Sequence, residues 1–286
     1  MIALLTQYYR GLGHSQRIKF IAEAIKEDVI IFDQLFTPPL DYKVPHTAFL
    51  KDYAVGDVNN MFQFIMQETL INFRIKMFIE NIEKFKVKTL VCEGFPFCRH
   101  QFAHEYIRYF EECKKRNIKI IISIRDFPWD EPHDNSLQDW VLYTQNLICK
   151  HYAEKVLVHG DPKIMPLYSD RRRQANSITI INDISDKLLY TGYVCDESMP
   201  KHKKKNNVIY VSTGLNKEEG LLLFKNLLQT VNDFKDYTFV MTVANRYITT
   251  KTKQKNNVIM AEYIPNLRNK LIDCSAYIAY GGYNAT

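Results

Sequence analysis

Short apolar runs rich in Ile and Val recur along this chain, each followed by a longer stretch with helical patterning, and no other feature limits its fold as strongly. The runs lie at 2–6, 28–33, 89–94, 119–124, 155–160, 207–213, 238–243, 257–264 and 276–282. They are apolar without strict alternation, as strands are when both faces of their sheet are covered. Between them, the patterning predicts helices at 15–26, 60–85, 100–116, 136–152, 217–231 and 266–273. Strand, helix, strand in sequence requires crossovers, so the chain reads as an α/β protein with parallel sheets under helices.

A polar, charged stretch, DESMPKHKKKNN, interrupts the pattern over 196–207 and reads as a linker. It separates a domain at 1–195 from a second at 208–286, and a length of 286 residues suits two domains. The second part contains four strand signals and stops at GGYNAT, where a helix is due, so its sheet reads as cut short. Net charge is +6, concentrated in Lys201, Lys203, Lys204 and Lys205 and in Arg171, Arg172 and Arg173. Those clusters read as solvated loops, and with no interleaved aromatic and basic motif a nucleic-acid partner is not expected.

The six cysteines show no C-x-x-C spacing and do not alternate with histidines at ligand intervals, so they read as reduced thiols in a cytoplasmic protein without structural zinc. The start carries no basic leader, and no run reaches the roughly 18 apolar residues of a membrane span. The segment 60–85 carries apolar residues on more than one face. It is either a buried packing helix or a surface that touches an acceptor or a membrane.

Chemistry is expected where strands hand over to helices, because ligands of parallel sheets bind outside the carboxyl ends of the strands. The first such loop is QYYRGLGHSQR, residues 7–17. Gly11 and Gly13 allow close backbone approach, and the following helix aims amides and a positive dipole end at a ligand. A dinucleotide fingerprint would need glycine at position 16, which is Gln16, although Asp33 stands where a ribose-binding acid would. His14 at the helix start is either a general base or a loop cap.

The next loops repeat the theme. CEGFPFCRH brings Glu93, Arg99 and His100 to a strand end shaped by Gly94 and Pro96, and SIRDFPWD brings Arg125 and Asp126. Glu93 and its neighbouring bases either meet a substrate or satisfy one another. VHGDP and YTGYV carry glycine and proline that punctuate turns. In the second part, Thr213 and Gly214 form a small anion-binding turn, and Gly281, Gly282 and Asn284 another.

Taken in order, GLGHSQR, EGFPFCRHQF, SIRD, VHGDP, YTGYV and the terminal GGYN resemble the predicted glycosyltransferases related to glycosyltransferase family 28. That family includes the enzyme adding N-acetylglucosamine to the lipid-linked peptidoglycan precursor. The resemblance implies the GT-B architecture, two Rossmann-like domains with the acceptor on the first and a nucleotide-sugar on the second. It implies inverting, metal-independent transfer without a cofactor, from a donor expected to be UDP-linked to a glycan or lipid-linked hydroxyl acceptor of envelope or surface glycan synthesis. The enzyme would be cytoplasmic, with peripheral contact to the inner face of the membrane.

Carried over by position, His14 is the base and Asp126 the reserve base. Gly11, Gly13, Glu93, Arg99 and Arg125 fall on the acceptor side. Thr213, Gly214, Tyr263, Ile264, Gly281, Gly282 and Asn284 fall on the donor side. The chain departs from the family pattern at STGLNKEEG, which is poor in glycine, and at its end, where relatives continue. Two alternatives stay open: a non-catalytic remnant or binding module, and a sugar-nucleotide epimerase on the same plan.

Overall fold

The computed structural model describes residues 1–6, 13–33, 44–48, 68–99, 102–124, 135–163, 184–194, 206–212, 218–242, 256–261, 264 and 267–279. The chain divides into two compact units, Met1–Cys195 and Asp196–Thr286.

In the first unit the elements run β1 (Ile2–Thr6), α1 (Gly13–Ala24), β2 (Val29–Asp33), β3 (His46–Ala48), α2 (Glu68–Lys84), β4 (Thr89–Glu93), α3 (Ala103–Lys115), β5 (Lys119–Ile124), α4 (Asn135–Tyr152), β6 (Lys155–Val158) and β7 (Leu188–Tyr190). They build one seven-stranded sheet of order β3-β2-β1-β4-β5-β6-β7. Every pairing in it is parallel. The strands wind outward from β1 in both directions, so the order reverses between β1 and β4. At such a switch point the flanking connections part and leave a crevice at the carboxyl ends.

β1 shows why an unalternated apolar run makes a central strand. Ala3 and Leu5 join the core that α2 and α3 cover, which also contains Phe78, Tyr106 and Phe110. Leu4, between them, joins the core under α1 with Ile18 and Ala22. Successive side chains point to opposite faces, so a strand covered on both sides must be apolar throughout.

The packing reading of the 60–85 segment applies to its described part, α2, which buries Leu70, Ile71, Arg74, Ile75, Phe78, Asn81 and Ile82. These recur at intervals of three and four, one face of a helix. Phe78 meets Tyr109 with ring centroids 4.4 Å apart. Positions 60–67 lie outside the described residues. Among the described residues no helix is long and apolar enough to cross a membrane.

Two strands were not anticipated, β3 and β7. Each has three residues and sits at an edge of the sheet. An edge strand gains one ladder instead of two, and one of only three residues is too short to form an apolar run, so it leaves little trace in sequence. The end of α4, next to β6, is closed by Lys187, just before β7, whose ammonium donates to the carbonyls of Lys150 at 2.9 Å and Ala153 at 2.7 Å.

The second unit contains β8 (Val208–Ser212), α5 (Glu218–Thr230), β9 (Thr238–Thr242), β10 (Val258–Ala261), α6 (Leu267–Leu271) and β11 (Ala276–Ala279). Its four strands are ordered β10-β9-β8-β11 and are again parallel. The switch point falls between β8 and β11. One of its core clusters is Val211, Phe224, Val231, Phe239 and Met241, and another is Tyr210, Ile264 and Cys274.

Candidate functional site

Four strands of the first sheet end at the same edge on polar side chains that are buried. Thr6 closes β1, Glu93 closes β4, Ser123 stands one residue before the end of β5, and His159 follows β6; their exposures are 0%, 1%, 0% and 3%. The register aligns Leu5 with Cys92, Glu93 with Ser123, and Val158 with Tyr190. In-register neighbours share a face, so Thr6, Glu93, Ser123, His159 and Thr191 all lie on one side of the sheet at its carboxyl edge.

α1 contributes Arg17, 2% exposed, whose guanidinium pairs with the Glu93 carboxylate. A charge taken out of water is tolerated only with a partner, and this pairing joins the first two turns of α1 to β4 across the switch point. Among the described residues the buried Thr6 hydroxyl has no hydrogen-bond partner.

Beside this pair lies a chain of neutral hydrogen bonds. The His159 imidazole reaches Ser123 Oγ with Nε2 at 2.7 Å and Thr191 Oγ1 with Nδ1 at 2.6 Å. The Thr191 hydroxyl donates to the Gly192 carbonyl at 3.2 Å, which leaves its oxygen to accept from Nδ1–H. Nε2 then accepts from the Ser123 hydroxyl. Burial, and after it the positive charge of Arg17, push the His159 pKa down from 6.5 to about 4. At neutral pH the imidazole is therefore an uncharged link across β5, β6 and the end of β7.

The turn after β4 is tightly formed. Gly94 has φ +89°, and its amide donates to the Ser123 carbonyl at 2.8 Å. Cys98 then folds back, its amide donating to the Gly94 carbonyl at 3.0 Å. Arg99 is half-buried with φ +68°, a left-handed conformation uncommon outside glycine.

The anticipated site residues fall at strand ends of both units. Gly13 opens α1 and His14 follows it, in the turn entered from β1, while Gly11 lies outside the described residues. Glu93 and Arg99 belong to β4 and its turn. Arg125 and Asp126, directly after β5, lie outside the described residues, as do Thr213, Gly214, Tyr263, Gly281, Gly282 and Asn284. Ile264 is 6% exposed and packs with Tyr210 and Cys274. Arg17, Ser123, His159 and Thr191 were not singled out from sequence, although each stands inside a quoted motif: GLGHSQR, SIRD, VHGDP and YTGYV.

No family model matches the sequence. No curated protein matches it. Solved structures do share its backbone arrangement. The glycotransferase of kitacinnamycin aligns with a TM-score of 0.57 at 11% identity, over 99% of this chain and 76% of that one. The UDP-N-acetylglucosamine 2-epimerase of Rickettsia bellii aligns with a TM-score of 0.55 at 12% identity, over 98% and 74%. The Anabaena protein HepE, solved with UDP and glucose, aligns with a TM-score of 0.54 at 10% identity, over 96% and 73%. Identities this low speak to fold alone. In fold, then, the chain is a GT-B protein of two Rossmann-like domains, the second the shorter.

Proposed function

We propose that this chain is a glycosyltransferase that moves a sugar from a UDP-linked donor to a hydroxyl acceptor, with inversion and without a metal. The observation that carries the reading is fold likeness along nearly the whole chain to proteins whose names or ligands are sugar transfer, a UDP-linked sugar, and UDP with glucose. The unit Met1–Cys195 takes the acceptor and the part at 208–286 takes the donor, joined by the linker at 196–207. The acceptor is a glycan or lipid-linked hydroxyl of envelope or surface glycan synthesis, met on the cytoplasmic side at the inner face of the membrane.

In this reading His14 removes the proton from the acceptor hydroxyl, with Asp126 as the reserve base. The acceptor oxygen forms its bond to the anomeric carbon as the bond from that carbon to the diphosphate oxygen breaks. The leaving diphosphate carries the negative charge away, steadied by backbone amides at Thr213 and Gly214 and at Gly281, Gly282 and Asn284. Gly11 and Gly13 let the acceptor approach the backbone, with Arg99 and Arg125 beside it. Tyr263 and Ile264 belong to the segment facing the nucleobase.

The reading predicts that His14→Ala lowers transfer about 10²- to 10⁴-fold with the fold retained. Unchanged turnover in that variant removes His14 from the mechanism. A second reading, a sugar-nucleotide epimerase, is favoured by the likeness to the Rickettsia bellii enzyme. Product analysis separates the two: transfer releases UDP and a glycoside, whereas epimerisation returns an altered nucleotide-sugar and no free UDP.

A further inference from the structure

We infer that Arg17 and Glu93 form a positioning pair that fixes the first turn of α1, and with it His14, against the carboxyl edge of the sheet. The inference rests on the transferase reading for what His14 does, and on the structure alone for what the pair holds. α1 begins at Gly13, two residues after Gly11 in the sequence, and the backbone freedom of these two glycines leaves the angle at which its first turn meets β1 to be set by other contacts. Arg17 stands one turn beyond His14, at the i, i+3 spacing that places two residues side by side on a helix. Its side chain is 2% exposed and meets a carboxylate that is 1% exposed, at the end of the strand next to β1.

Apolar packing under α1 comes from Ile18 and Ala22, which secure the middle and end of the helix. Such contacts are non-directional, and among the described residues none of them involves a position of α1 before Ile18. An ion pair between a planar guanidinium and a carboxylate is directional, and this one is anchored on β4, itself paired on both sides. Glu93 thereby acts on the site through Arg17 and need not touch an acceptor.

The test uses the full chain in three forms. Glu93→Gln keeps the side-chain size and removes one charge. Arg17→Met combined with Glu93→Gln removes both, so that neither is left buried alone. Arg17→Lys keeps the charge and loses the planar fork. In the first two, amides 17 and 18, whose helical bonds close on the carbonyls of Gly13 and His14, are expected to exchange about tenfold faster while those of β1 and β4 stay slow. The transfer kcat is expected to fall about a hundredfold with the KM for nucleotide-sugar unchanged, and Arg17→Lys to recover part of it.

Unchanged exchange at 17 and 18 in the folded double variant overturns the inference. So does acceleration spread evenly over the first unit, or a double variant that does not fold, because either would make the pair a prop for the whole sheet. If the wild-type chain transfers no sugar, the transferase reading fails while the exchange measurement still decides the role of the pair.

Discussion

His159 is held by two hydroxyls and faces the Arg17 cation from α1, with Glu93 from β4 next in line. Its folded pKa of about 4 lies below its ordinary 6.5. As pH falls through 6.5, the unfolded chain takes up a proton that the folded chain refuses. The stability tied to this side chain is therefore whole above pH 6.5 and is lost progressively down to about pH 4. Between pH 7 and pH 5 the loss is about 2 kcal/mol. Urea unfolding of wild type and His159→Gln at both pH values measures it: the drop should shrink by that amount in the variant. An equal drop in both would show that the imidazole protonates freely in the folded state. Sequence reading passed over this residue for a physical reason. Residues 17, 93, 123, 159 and 191 meet only because β6 crosses over to lie beside β5 and β4 beside β1, and no local pattern encodes that meeting.

At the scale of elements, the β4 turn shows what sequence does convey. Gly94 and Pro96 announce a turn after an apolar run, and the structure puts Gly94 at φ +89°. A Cβ added there would lie 2.4 Å from Cys98 Sγ. Gly94→Ala should therefore destabilise the first unit by roughly 1–3 kcal/mol, through both backbone strain and the clash. Adding Cys98→Ala should restore only the clash component, so a thermal unfolding series of the three chains separates the two causes. Full recovery in the double variant would mean that the backbone there carries no strain. Nine strand signals and six helix signals were legible because strands of four to six residues covered on both faces read as continuous apolar runs, and helices with one buried face show a period near 3.6. β3 and β7 escaped because an edge strand of three residues has no period to show. In β7, Leu188 and Tyr190 pack against the core while Leu189 between them is 52% exposed, so three residues carry no continuous apolar signal.

For the molecule as a whole, each unit has its own sheet, its own switch point and its own core, the first built on β1 with α2 and α3, the second on Val211, Phe224 and Phe239. Two cores that share no residue should melt as two transitions, since cooperativity follows contiguous packing. The proposed division of labour assigns the nucleotide to the second unit, at the switch point between β8 and β11, whose ends are followed in sequence by the motifs at Thr213 and Gly214 and at Gly281 and Gly282. UDP should then raise the melting temperature of one transition and leave the other in place. At a hundredfold excess over its Kd, the stabilisation should be about 2.7 kcal/mol. Hydrogen exchange with and without UDP assigns the shifted transition: protection should fall on β8, α5 and β11, and not on β1 and β4. Protection centred on β1 and α1 would reverse the assignment and make the Gly11 and Gly13 loop the nucleotide site, as a dinucleotide-type fold would have it. ADP at the same excess supplies the control, because a shift common to both nucleotides would report the diphosphate alone and leave the uridine preference without support.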